Sequence, residues 1–255
     1  MSATHGTFTW YELMAVDPVG ACGFYAQLLG WRYVPMAGTN GGYSLIDAGG
    51  LQIGGVLTLT PAMQAAGARP AWLGYVEVDG LEATLARLMS LGGTVVVGAT
   101  RAGEAGHFAL VSDPLGAMFY LFQSARGAVP DFSMAPGRVA WRELRSPDWE
   151  RGFGFYAALF GWDKADRLEA APGRPYQVFR TAGTPAGGTC DYPGIGHALW
   201  QYYFSVDNID RAVERLLAGG GATLEGPHEI TGGMWIVDAR DPQGALLSLL
   251  GPRAP

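Results

Sequence analysis

The chain is poor in what many functions require. Its 255 residues include only two cysteines, Cys22 and Cys190, in no C-x-x-C or metal-type spacing and at non-equivalent places. A disulfide framework and a thiolate metal cluster are therefore not expected, and both thiols read as free and buried. Charged residues are 16% of the chain, and the formal net charge is −6. Nucleic-acid binding needs a clustered basic surface, and none is visible. The acidic balance suits cationic small molecules, and equally an ordinary soluble protein. No segment approaches the roughly 18 uninterrupted apolar residues of a membrane span, and residues 1–6 lack the basic patch and apolar run of a signal peptide. A soluble cytoplasmic protein is expected. Gly194-Ile195-Gly196 lacks the third glycine of a dinucleotide fingerprint. No Walker A loop, G-x-S-x-G elbow or S-x-x-K motif occurs, so phosphate-loop and serine-nucleophile chemistry have no support.

What is present is a duplication. Phe24-Tyr25-Ala26-Gln27-Leu28-Leu29-Gly30-Trp31 returns as Phe155-Tyr156-Ala157-Ala158-Leu159-Phe160-Gly161-Trp162, 131 positions on. Trp10-Tyr11-Glu12-Leu13 returns at the same offset as Trp141-Arg142-Glu143-Leu144. Val78-Asp79 and Asp113-Pro114-Leu115-Gly116 return as Val206-Asp207 and Asp241-Pro242-Gln243-Gly244 at an offset of 128, so the second copy is three residues shorter in its middle. A period this long means tandem domains, not a solenoid. The expected boundaries are 6–123 and 138–251, joined by a linker at 124–137 whose Pro, Gly and small residues suit a connection.

Within the first copy, residues 7–16 read as a strand covered on both faces. Asp17-Pro18 marks a helix start, with Ala21, Phe24, Tyr25, Leu28 and Leu29 on its buried stripe and Gly30 at its end. Strands are expected at 31–36, 43–48 and 51–59. After a loop at 60–70 the order repeats: a strand at 71–78, a helix capped by Asp79 with Leu81, Leu85, Leu88 and Met89 inward, and strands at 94–99, 107–111 and 117–123. The second copy has the same layout, with helices at 147–160 and 209–218, the latter turning Ile209, Val213, Leu216 and Leu217 inward. Each domain is thus a pair of βαβββ units.

Four such units, Phe-Tyr-x-x-x-x-Gly-Trp on the first helix of each pair, Val-Asp before the second helix and Asp-Pro-x-Gly before the last strand resemble the vicinal oxygen chelate superfamily. That group includes glyoxalase I, extradiol dioxygenases, fosfomycin-resistance enzymes and bleomycin-resistance proteins, and the chain looks like its tandem members. The resemblance implies an α+β fold: each domain a pair of βαβββ modules forming a curled mixed sheet, with helices on the convex face and ligand in the hollow. It also implies, in metal-dependent members, one divalent ion (Zn, Ni, Mn or Fe) held by His, Glu or Gln from the first and last strands of the modules.

Carried onto this sequence, the first-strand ligand falls at or within two residues of Glu12 and Glu143. The ligand opening the second module falls on Leu73 and Gln201, and the last-strand ligand on Tyr120 and Ser248. The remaining position, within 43–47 or 176–180, offers no His or Glu. Glu143 and Gln201 with Ser248 are fewer donors than a closed site needs, and the four histidines do not repeat between copies. Glu12 and Glu143 recur on an otherwise apolar strand. Such a carboxylate serves either as a general base without metal or as a structural partner of backbone amides or an arginine. Trp10, Trp72, Trp141, Trp200, Tyr202, Tyr203 and Trp235 crowd the strands around an expected aromatic-walled pocket.

The first reading is a protein that binds a small, partly aromatic or cationic organic molecule without a complete metal site. Glu143 and Glu12 are its candidate catalytic groups, and Trp141, Gln201, Tyr203, Ser248, Trp10 and Tyr120 its ligand contacts. The competing reading is a metal-dependent lyase, isomerase or dioxygenase using Glu143 and Gln201. A third leaves the first domain as a structural partner only. Neither nucleic acid nor membrane is an expected partner, and the tandem chain is expected as a monomeric pseudo-dimer or a homodimer.

Overall fold

A computed structural model describes residues 4–39, 42–127, 133–171, 174–230 and 232–253. The first repeat contains β1 (Phe8–Ala15), α1 (Pro18–Leu29), β2 (Arg32–Pro35), β3 (Tyr43–Ala48), β4 (Leu51–Thr58), α2 (Pro61–Ala65), β5 (Ala71–Glu77), α3 (Leu81–Ser90), β6 (Thr94–Arg101), β7 (Gly106–Ser112) and β8 (Met118–Ser124). The second contains β9 (Val139–Ser146), α4 (Trp149–Phe160), β10 (Asp163–Ala171), β11 (Arg174–Thr181), β12 (Thr184–Asp191), β13 (Leu199–Ser205), α5 (Ile209–Ala218), β14 (Ala222–Ile230), β15 (Met234–Arg240) and β16 (Leu246–Pro252). The strand–helix–strand–strand–strand order expected from the sequence therefore occurs four times. Of the expected linker, residues 128–132 lie outside the described residues, and Ser124 closes β8.

The strands form two eight-stranded mixed sheets, ordered β2-β3-β4-β1-β5-β8-β7-β6 and β10-β11-β12-β9-β13-β16-β15-β14. Two compact units draw on both sheets. One takes residues 4–10, 73–127 and 141–201, and the other 11–72, 133–140 and 202–253.

In the first of these units the Tyr156 hydroxyl accepts from Trp200 Nε1 at 2.9 Å and donates to Asp113 Oδ2 at 3.2 Å. Asp113 Oδ1 accepts the backbone N–H of Leu115 and Ala117 at 2.8 and 2.9 Å, closing the Asp-Pro turn. In the other unit Tyr25 accepts from Trp72 Nε1 at 2.8 Å and donates to Asp241 Oδ2 at 3.1 Å, while Asp241 Oδ1 takes the N–H of Gln243 and Ala245. Trp162 Nε1 donates to Gly6 O at 2.7 Å, and Trp31 Nε1 to Gly137 O at 2.8 Å. The repeated motifs are therefore partners of one another. The tyrosine of each Phe-Tyr pair meets the Asp-Pro aspartate contributed by the other copy.

The helices start and stop as local chemistry dictates. Asp17 Oδ1 accepts from Gly20 N at 3.0 Å, Pro18 sits in the first turn, and Gly30 ends α1 at φ 73°. Asp148 and Gly161 do the same for α4, so Pro147 precedes the cap and does not open the helix. Further details differ from expectation, among them Val213 and Cys22, which are only partly covered. Asp79 does not cap α3; Gly80 holds the cap position, and the side chain of Gln123 in β8 accepts Leu81 N–H at 2.8 Å. A short helix, α2, capped by Thr60, interrupts the expected loop at 60–70. Met89 and Leu217 are more than half exposed, because the buried stripes of α3 and α5 run through Thr84 and Ala212 instead. Leu29 is only partly covered.

Candidate functional site

Alternation along β9 puts Trp141, Glu143 and Arg145 on one face. Glu143 pairs in parallel register with Gly188 of β12, and Tyr176 of β11 lies over that glycine. A Cβ on Gly188 would fall within the Tyr176 ring, so glycine is what lets the ring lie flat on the strand. The preceding Gly187 allows close strand approach, since a Cβ there would collide with Arg142 O. Trp141 Nε1 donates to the Tyr176 hydroxyl at 2.6 Å. Arg145 Nε donates to Glu143 Oε1 at 2.7 Å, with both side chains 9% exposed. The Glu143 carboxylate is thus engaged by an arginine two residues along its own strand.

The guanidinium of Arg145 sits 4.6 Å from the Tyr192 ring centroid, and that of Arg174 at 5.6 Å. Cys190 lies opposite Arg145 in register. Burial, with the charge of Glu143 adding to it, pushes its thiol up to about 12. Gln201 is buried in β13. Farther along the chain, Tyr203 pairs in register with Ser248 of β16, and Ser248 Oγ donates to Asp238 Oδ1 at 2.5 Å.

The first repeat keeps the glycine and the tyrosine of this arrangement. Glu12 pairs with Gly55, and Tyr43 lies over Gly55 as Tyr176 does over Gly188. Trp10 is half-buried. Tyr120 stacks on Tyr75 with centroids 4.1 Å apart, and Phe108 meets Tyr120 edge-on at 5.6 Å.

Tyr176 and Tyr43 occupy the strand position at which the sequence offered no His or Glu, and they were missed together with Arg145, Tyr192 and Asp238. A signal for the two tyrosines existed. Gly54-Gly55 returns as Gly187-Gly188 at the 133-residue offset that also relates Tyr43 to Tyr176.

Transition-metal sites are usually closed by three or more imidazole, thiolate or carboxylate donors. Among the described residues no three His, Cys, Asp or Glu side chains gather. Glu143 is ion-paired to Arg145, and the last-strand position carries Ser248, tied to Asp238. The Glu143 carboxylate and the Ser248 hydroxyl are thus each already engaged by a protein partner.

The family model for the Glyoxalase/Bleomycin resistance protein/Dioxygenase superfamily matches residues 7–121 and again 138–249. A Mycobacterium tuberculosis protein named "Putative glyoxylase CFP32" is 30% identical over 251 residues, 97% of this chain and 95% of that protein. The "Anthracycline biosynthesis protein DnrV" of Streptomyces peucetius is 26% identical over 259 residues, 96% of this chain and 93% of the relative. Among solved structures, the Mn(II)-bound glyoxalase from Novosphingobium aromaticivorans superposes with TM-score 0.64 at 16% identity, over 98% of this chain and 83% of that one. The 2,3-dioxygenase LapB from Pseudomonas sp. KL28 gives TM-score 0.65 at 14% identity, over 99% and 94%. At these identities the two structures bear on the fold alone.

Proposed function

Because this chain belongs to the glyoxalase/bleomycin resistance protein/dioxygenase superfamily, we propose that its second repeat, residues 138–251, binds a small, partly aromatic organic molecule without a resident metal. The ligand lies at the face carrying Trp141, Glu143, Tyr176 and Gln201. One observation carries this reading. Where the first repeat has Met14, Leu59, Leu73, Leu110 and Tyr120, the second has Arg145, Tyr192, Gln201, Asp238 and Ser248. Burying polar groups is unfavourable unless they are matched. Three of them, Arg145, Gln201 and Asp238, bury a polar or charged side chain where the first repeat has an apolar one, which supports a retained use in the second repeat and a supporting role for the first.

The ring surfaces of Trp141, Tyr176 and Tyr192 suit a flat ligand. A relative named for the biosynthesis of anthracyclines, which are flat polycyclic compounds, supports the same class. Glu143 is the group of this face that can take a proton from a bound molecule, and Arg145 positions it.

The test is a fluorescence titration with a panel of naphthols and naphthoquinones. Trp141→Ala and Glu143→Gln weaken binding, whereas Trp10→Ala leaves it unchanged. Loss on Trp10→Ala with none on Trp141→Ala would assign the ligand to the first repeat. A relative named as a glyoxylase favours a second reading, a metal-dependent lyase, isomerase or dioxygenase using Glu143 and Gln201. Stoichiometric Mn, Fe, Ni or Zn in protein purified without added metal, lost in Glu143→Gln, would establish it instead.

A further inference from the structure

Around Glu143 the second repeat carries a charge pattern that the first lacks. Arg145 and Arg174 both lie against the Tyr192 ring, at 4.6 and 5.6 Å from its centroid. Glu143 takes Arg145 Nε at 2.7 Å. Arg145 is thus held by a carboxylate, and Arg174 has no ion pair within 4 Å among the described residues. Asp191 faces the other side of the strand, where its Oδ1 accepts the N–H of Trp149 at the start of α4. Arg174 is half-buried, but its Nε is shut off from solvent and has no hydrogen-bond acceptor among the described residues. A buried donor left unmatched destabilises a fold, and such donors are few in native proteins. The places of Arg145 and Tyr192 in the first repeat are taken by Met14 and Leu59.

We infer that Arg174, with Arg145 and Tyr192, forms an anion subsite for the carboxylate of an aromatic acid whose ring lies at the face proposed above, a reading on which this inference rests. On binding, the half-buried Arg174 side chain swings so that its Nε, closed off in the unliganded chain, donates a charge-assisted hydrogen bond to a carboxylate oxygen. The Tyr192 ring holds the guanidinium in place, and Arg145 remains on Glu143. A planar guanidinium matches a planar carboxylate.

The experiment titrates the 255-residue chain with 2-naphthoate, with the matched 2-naphthamide and with inorganic phosphate, read by tryptophan fluorescence and thermal shift. Naphthoate is expected to bind about 10-fold or more tightly than naphthamide, the preference of a charge-assisted contact. In Arg174→Gln the preference disappears, while the amide affinity changes less than about 2-fold and the unliganded melting temperature is kept. Tyr192→Leu, which installs the residue type of the first repeat, weakens acid and amide together. Equal binding of acid and amide by the unmodified chain, or an acid preference that survives Arg174→Gln, overturns the anion subsite and leaves the ring-binding face standing. No binding of either compound overturns both. Tighter binding of phosphate than of naphthoate overturns the carboxylate assignment.

Discussion

The ring of Tyr176 rests on the bare backbone of Gly188, directly beside Glu143 in the neighbouring strand. Any side chain at 188 must evict that ring, and with it the 2.6 Å hydrogen bond from Trp141. Gly188→Ala is therefore expected to lower stability by about 1–3 kcal/mol, the usual effect of overpacking, and to abolish ligand-induced quenching of tryptophan fluorescence. Gly55→Ala, which displaces Tyr43 in the first repeat, is expected to lower stability by a similar amount and leave the quenching intact. Unfolding in urea and titration of the two variants check both halves of this expectation.

Tyr156 joins Trp200 to Asp113, and Tyr25 joins Trp72 to Asp241, all within the cores of their units. Removing one hydroxyl leaves an indole N–H and a carboxylate oxygen unmatched in a dry environment. Tyr156→Phe and Tyr25→Phe are each expected to cost about 1–3 kcal/mol, and nearly equally because the two networks are alike. If either variant melts with the unmodified chain, the hydroxyl is not holding the turn. Thermal unfolding followed by circular dichroism supplies the measurement.

The architecture was legible because every signal came twice. Asp17-Pro18 and Asp148, Gly30 and Gly161, and the paired Phe-Tyr and Asp-Pro motifs are local chemistry read directly from neighbouring residues. Glu12 and Glu143 were legible for the same reason. Their surroundings were not. Tyr176 and Gly188 meet Glu143 only through the pairing of β9 with β12 and of β11 with β12, and the 133-residue offset they share marks them as a pair without giving that register. The cap of α3 failed on the same point, since Gln123 arrives from β8 through tertiary structure and displaces the local candidate Asp79. Asp238 was missed because it becomes notable only once Ser248 is seen to donate to it.

Neither cysteine is poised to react. Burial, with Asp17 adding to it, pushes Cys22 up to about 11, and burial with Glu143 pushes Cys190 up to about 12. At pH 8 the thiolate fraction of either is on the order of one part in a thousand or less, and the thiolate is the nucleophile. Native protein is expected to react with a disulfide reagent over hours, and to release two equivalents at once when unfolded in urea. A rapid first equivalent from the native chain would contradict the assignment of both thiols as inert.

The last prediction concerns pH. Burial raises the carboxyls of Asp113 and Asp241 above their ordinary value, against the opposing pull of the backbone N–H groups and the tyrosine hydroxyl that bond them. A carboxyl whose folded-state value is raised binds its proton more tightly in the native chain than in the unfolded one. Its contribution is therefore complete below the unfolded value, about 3.9, and is lost as pH rises through the folded value. Asparagine cannot titrate. The stability gap between the unmodified chain and Asp113→Asn is expected to be widest in acid, to narrow as pH rises above 4, and to level off once the native carboxyl has ionised. Paired urea-unfolding curves from pH 3.5 to 7.5 isolate this difference from the titration shared by all other groups. A gap that widens with pH would mean that the turn amides and Tyr156 outweigh burial and hold Asp113 below its ordinary value.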